Sequence, residues 1–211
     1  MCQQAALEEL QRLFPKAELD MRPSDEQIMS LARLVSFLLK WNKALNLTAV
    51  RDPIEAARLH VMDSACVSPF ITGDNVADIG TGAGFPGLVL AVLHPEKHFT
   101  LVDSIAKKIS FVRNAAAMLG LRNVEAVVAR AEKLSPEIKF DCVTCRAFAP
   151  LEKIVSICRH LVAEDGIIVA MKANVADDEA AAVKGASIER IEQIRVPGMD
   201  ARRCAVMLRI N

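Results

Sequence analysis

Over roughly the first 70 positions apolar residues recur with a helical period. Beyond them they gather into short runs separated by polar turns. "LEELQRLF" places Leu7, Leu10, Leu13 and Phe14 on one face. "IMSLARLVSFLLKWNKAL" (28–45) continues that spacing, and Ser24 with Gln27 ahead of it spells a capping box. "PIEAARLHVMDSACV" (53–67) reads as a third helix, with Pro53 suited to its first turn.

From about Asn75 the texture changes. Strands are expected over "VADIG" (76–80), "HFTLVDS" (98–104), "VEAVVA" (124–129), "FDCVTCRAF" (140–148) and "GIIVAMK" (166–172). Helices are expected over "GLVLAVLH" (87–94), "IAKKISFVRNAAAMLG" (105–120, stopped by Gly120), "LEKIVSICRHLV" (151–162) and "VADDEAAAVKG" (175–185). Such alternation argues an α/β fold: a doubly wound, mostly parallel sheet with its ligand at the carboxyl ends of the strands. "IERIEQIRVP" (188–197) and "RRCAVMLRI" (202–210) have no helix between them, which predicts a C-terminal antiparallel hairpin. The expected organisation is an N-terminal helical extension over 1–72, packed on a core domain over 73–211.

Composition narrows this little. Half the residues are hydrophobic and a quarter charged, an ordinary globular balance. The formal net charge is zero, so any nucleic-acid contact must come from a local basic patch. No apolar run reaches membrane length, and the amphipathic start "MCQQAALEELQRLF" is no signal peptide, so a cytoplasmic protein is expected. The six cysteines are scattered, and buried reduced thiols are the expectation. "CVTC" looks like a redox or zinc motif. On a strand, however, Cys142 and Cys145 point to opposite faces, so they are read as structural. No spacing is convincing for a metal site.

The candidate chemistry centres on "VADIGTGAGFPGLVL" (76–90). From Gly82 it matches the dinucleotide pattern G-x-G-x-x-G; from Asp78 it spells D-x-G-x-G-x-G, with Gly80, Gly82 and Gly84. A pyrophosphate needs free helix amides and no anion beside them. Asp78 at the strand tip and Pro86 at the helix start both oppose that and favour a cationic ligand, such as the ammonium and sulfonium of S-adenosylmethionine. Asp103, ending the next strand, would take ribose hydroxyls. In "RAEKL", Ala131 and Glu132 suit an adenine, or else simply open a helix. Arg146 follows the fourth strand, where an acceptor would meet the methyl group. It cannot be a general base, but it can orient a phosphate, a carboxylate or a guanine edge. His60 and Asp63 share a helical face and read first as a core histidine satisfied by a carboxylate. Lys107, Lys108 and Arg113 form either a solvated face or an RNA footprint.

In order, "WNKALNLTAV", "RLHVMDS", "DIGTGAGFPGLVLA", "LVDSIAKK", "FVRN" and "CRAFA" resemble the bacterial small-subunit ribosomal RNA methyltransferase G family, also called glucose-inhibited division protein B. The likeness runs from about Trp41 onward. It implies a class I (Rossmann-like) S-adenosylmethionine-dependent methyltransferase that modifies N7 of one guanine in 16S rRNA, free or in the small ribosomal subunit. It places cofactor contacts on Gly80, Phe85, Ala131, Glu132 and Arg146, and leaves a monomer without metal as the expectation. The family usually has Lys-Arg where this chain has Lys107-Lys108, and Lys-Gly where it has Lys172-Ala173. A nicotinamide-dependent oxidoreductase, a methyltransferase with another RNA or small-molecule acceptor, and a non-catalytic RNA-binding module are the alternatives.

Overall fold

The seven strands expected beyond residue 75 all form in the computed structural model, which describes residues 1–137, 139–146 and 149–211. The strands are β1 (Asn75–Ile79), β2 (His98–Asp103), β3 (Val124–Val128), β4 (Phe140–Arg146), β5 (Val162–Lys172), β6 (Ala186–Ile194) and β7 (Arg203–Ile210). They form one seven-stranded sheet in the order β3-β2-β1-β4-β5-β7-β6. The first five are parallel, and β7 is antiparallel to both its neighbours. The expected hairpin therefore forms, with the last strand inserted between β5 and β6. Ala147 and Phe148, the end of the expected fourth strand, lie outside the described residues. Strand β5 starts earlier than expected, because its pairing with β4 shifts register between Phe140 and Cys142 and so accommodates the polar Glu164 and Asp165.

The helices are α1 (Cys2–Leu13), α2 (Asp25–Leu45), α3 (Pro53–Ala56), α4 (Asp63–Ala65), α5 (Gly87–Leu93), α6 (Ala106–Leu119), α7 (Leu151–Cys158) and α8 (Asp177–Ala181). Ser24 and Gln27 form the reciprocal capping box that starts α2. Gly120 stops α6 at a φ of +70°. Two apolar layers cover the sheet. One joins the buried faces of α1, α2, α5 and α6 to one side of the strands; the other holds α7. Phe37 and Trp41 of α2 pack on Phe111 of α6, with ring centroids 5.5–5.8 Å apart, which ties the N-terminal helices to the sheet. Cys142 belongs to the first layer and Cys145 to the second, as period-two strand geometry requires. Burial pushes the Cys142 thiol up to about 12 and leaves it a small apolar side chain.

The third predicted helix is not continuous. Between α3 and α4 the residues Ala57–Met62 take a π-helical turn. The Asp63 amide donates to the carbonyls of Arg58 and His60. That frees the Leu59 carbonyl from its usual α-helical partner.

Candidate active site

The order of β1 and β4 at the centre of the sheet makes a switch point, where the chain leaves in opposite directions and a crevice opens at the carboxyl ends. Asp78, next to last in β1, is fully buried. Its Oδ2 accepts from the Thr81 hydroxyl at 2.6 Å and from the Gly87 amide at 2.8 Å. Its Oδ1 has no partner among the described residues. Burial raises its carboxyl to about 6, against the pull of those two donors. Asp78 thus braces the loop from beneath through Oδ2, at the strand tip where the sequence places it.

Gly80, Gly82 and Gly84 take φ values of +71°, +61° and +85°, a region that side chains resist. Gly84 also lies against Leu88, which a Cβ would meet at 2.4 Å. Helix α5 starts with no donors to spare. The Gly87 amide binds Asp78, Leu88 donates to the Gly84 carbonyl and Val89 to that of Pro86. A pyrophosphate would find no free amide there, which decides against the dinucleotide reading.

Beside this loop a cavity of about 380 Å³ is lined by Gly80, Asp103, Lys108, Ala131, Glu132 and Arg146 among others. Asp103 ends β2; its Oδ2 accepts from the Gly82 amide at 3.0 Å and its Oδ1 from the Ile105 amide at 2.9 Å. Lys108 reaches the same carboxylate at 3.5 Å, so it belongs to this cavity. Arg113 donates twice to the Ala126 carbonyl of β3. Of the three basic residues assigned to RNA, only Lys107 is exposed without such an engagement among the described residues. Gly82 and Gly84 shape the loop and do not line the cavity.

Arg146 ends β4 and borders this cavity and a second one of about 340 Å³. Its Nη1 donates to the Leu59 carbonyl freed by the π turn, at 3.1 Å, and to Asp63 Oδ2 at 3.2 Å. Its guanidinium carbon lies 5.6 Å from the Phe85 ring centre, and that ring stacks on His60 at 5.0 Å. Phe85 is therefore a buried platform behind Arg146. His60 does not pair with Asp63, as sequence spacing had it. It meets the Thr48 hydroxyl at 2.9 Å, and Asp63 goes to Arg146 and Arg203. Burial and, after it, Arg146 push the His60 imidazole down to about 4.

The geometry explains "WNKALNLT". The Asn42 side chain receives the Thr48 amide and donates to the carbonyls of Thr48 and Val50, so it holds Thr48 against His60. Asn46, at a φ of +49°, turns the chain between them. Sequence reasoning gave no role to Arg203 or to Lys172, which binds Glu179 at 2.5 Å. Arg203 lies 140 positions from its carboxylate partner and has no local signature.

A family model described as rRNA small subunit methyltransferase G matches residues 27–206. "Ribosomal RNA small subunit methyltransferase G" of Psychromonas ingrahamii is 43% identical over 205 residues, covering 96% of this chain and 98% of the relative. The protein so named in Haemophilus influenzae (strain PittEE) is 44% identical over 194 residues, covering 92% and 96%. The chain belongs to the rRNA small subunit methyltransferase G family. Its fold is that of class I methyltransferases. An S-adenosylmethionine-dependent methyltransferase from Aquifex aeolicus aligns with a TM-score of 0.56 at 18% identity, over 74% of this chain and 93% of that one. A Pyrococcus abyssi tRNA (uracil-54, C5)-methyltransferase, solved with S-adenosyl-L-homocysteine, aligns with 0.54 at 20% identity, over 74% and 38%.

For a member of the methyltransferase G family the cofactor is S-adenosylmethionine, and the residues present fit it. Two acids, Asp103 and Glu132, and the small Ala131 line the first cavity. A Cβ on Gly82 would meet only the Gly80 carbonyl, at 3.9 Å, so that side of the loop is open. No group of three or more metal-ligating side chains occurs, and no helix is long and apolar enough to cross a membrane, among the described residues.

Proposed function

We propose that this protein transfers a methyl group from S-adenosylmethionine to N7 of one guanine in 16S ribosomal RNA. One observation beyond the family supports this reading: Asp63, which Arg146 binds, and His60, stacked on the Phe85 ring that Arg146 overlies, are both poorly suited to remove a proton. Both oxygens of Asp63 are taken by arginines, and His60 is buried, engaged with Thr48 and, with its imidazole near 4, a weak base. An acceptor nitrogen that carries a lone pair and no proton suits such a site, and guanine N7 is one.

Bound S-adenosylmethionine supplies an electrophilic methyl group on a sulfonium. The chain's part is positioning. Asp103 faces the cavity with lone pairs left for ribose hydroxyls, and Ala131 and Glu132 border an adenine site. The loop of Gly80, Gly82 and Gly84 brings backbone close, while Asp78 holds it from below. Arg146 orients a carboxylate or phosphate at the junction of the two cavities. Lys107 is the remaining candidate of the three for a backbone phosphate of the RNA. Residues 1–72 act as the helical extension and 73–211 as the methyltransferase domain. Every strand lies in the latter, and one apolar layer joins the two. In this reading the protein acts as a monomer in the cytoplasm.

The reading is tested by mapping N7-methylguanine in 16S rRNA from cells lacking the gene. One modification should disappear, return with the parent gene and stay absent with Arg146→Ala. An unchanged modification pattern would reject it.

A further inference from the structure

The second cavity shares Arg146 with the cofactor cavity, and its walls include Leu59, His60, Asp63, Ala173 and Arg203. Its charges do not balance. Asp63 gives Oδ1 to Arg203 Nε at 2.8 Å and Oδ2 to Arg146 Nη1 at 3.2 Å, so one buried carboxylate serves two guanidinium groups. Lys172, on the same wall, is matched by Glu179. His60 is neutral at physiological pH. One positive charge is left over, on side chains that are only 22% and 24% exposed. A recess of this kind, partly shielded from water, attracts an anion more strongly than an open surface does.

Arg203 is the better placed of the two to receive it. It is the first residue of β7, paired with Ile194 of β6, so its backbone is fixed. Nε is held by Asp63 and Nη1 by the Arg202 carbonyl, while Nη2 has no partner among the described residues. A planar fork held at two donors presents the third in a set direction, which suits a phosphate oxygen.

We propose that Arg203 and this recess hold the phosphodiester group of the acceptor guanosine. The proposal rests on the methyl-transfer reading and deepens it. A nucleotide anchored by its phosphate at Arg203 extends its base past Arg146 toward the cofactor cavity. Asp63 is then a positioning residue that sets both guanidinium groups.

The test uses the full-length protein and small ribosomal subunits lacking the modification. Guanosine and a guanosine bisphosphate, phosphorylated on both chain-linking hydroxyls, are compared as competitors of methylation. The bisphosphate should compete at a concentration at least about tenfold lower, as a charge-assisted contact implies. Arg203→Gln should abolish that advantage. It should also lower the steepness of the RNA KM against salt by about one unit on logarithmic axes and leave calorimetric S-adenosylmethionine affinity unchanged. Equal competition by the two nucleosides with the parent, or an advantage that survives in Arg203→Gln, overturns the proposal. If that variant does not fold, the comparison on the parent decides alone. If the parent transfers no methyl, the methyl-transfer reading fails separately, and calorimetric titration of the two nucleosides still decides what the recess binds.

Discussion

Arg146 is held by a carbonyl and a carboxylate through one nitrogen, which sets the plane of its guanidinium. If orientation is its task, Arg146→Lys should be nearly as slow as Arg146→Ala, each down by about 100-fold in single-turnover methylation at saturating substrates, the scale of a misplaced reacting group. Recovery of most of the rate by lysine would mean that charge alone matters. His60 offers a second test at this scale. Its folded value near 4 lies below the ordinary 6.5, so its neutral form contributes stability that is complete above pH 6.5 and lost as pH falls toward 4. Asp78 runs the other way, raised to about 6, so its contribution is present at low pH and lost as pH rises through 6. Urea midpoints of parent and His60→Gln should therefore diverge, with the parent losing relative stability between pH 6.5 and 4, by no more than about 3 kcal/mol. Parallel curves would place His60 in water in the folded state. Asp78→Asn should leave stability at pH 7 unchanged or raise it, by no more than about 3 kcal/mol, since a carboxyl raised to about 6 is held less favourably as the anion in the fold than in the unfolded chain. A clear loss of stability in urea unfolding at pH 7 would show that the loop needs the full charge.

Among the elements, the glycine loop separates stability from binding. A Cβ on Gly87 would lie 2.7 Å from Leu101 Cγ and 2.8 Å from Asp78 Oδ2, so Gly87→Ala should destabilise by about 1–3 kcal/mol through overpacking. A Cβ on Gly82 meets open space at a φ of +61°, a backbone cost of about 1 kcal/mol. That change should lower S-adenosylmethionine affinity by more than about tenfold with a small loss of melting temperature, measured by calorimetry and thermal unfolding on one sample. Equal affinity in Gly82→Ala and parent would remove the loop from the cofactor's path. These elements also show how far the sequence could be read. The strands, the capping box, the stop at Gly120 and the opposed faces of Cys142 and Cys145 follow from local period and local bonding, which adjacent residues determine. The π turn at Ala57–Met62 does not, because an α-helical period fits the same letters and the bond from Arg146 to the Leu59 carbonyl is made only in the folded chain. From the letters alone Lys108 and Arg113 read as a solvated helix face or an RNA footprint. Their partners, Asp103 and the Ala126 carbonyl, sit on strands that the helix reaches only in the folded sheet. The place of Asp78 near the tip of β1 is legible in the letters, but its burial is not. Burial is a property of the layers that close over β1.

At the scale of the molecule, a chain of zero net charge carries its function in two adjoining cavities at one end of a seven-stranded sheet. The sheet places Asp103 and Arg146 on the ends of β2 and β4 and Ala131 in the turn after β3, and the N-terminal helical extension brings Leu59, His60 and Asp63 over the junction. Leu59, Asp63 and Phe85 thus converge on Arg146 from distant parts of the chain, and Arg203 joins them through Asp63, so the site is assembled only when the whole fold is. The central claim is transfer to a guanine nitrogen that has no proton to lose. It is tested most directly by incubating the purified protein with small ribosomal subunits from cells lacking the gene and methyl-labelled S-adenosylmethionine, digesting the RNA to nucleosides and separating them. The account predicts that the label appears in 7-methylguanosine alone, at about one per subunit, set by the single acceptor site. Label in any other nucleoside, or on an exocyclic or proton-bearing nitrogen of guanosine, would contradict it.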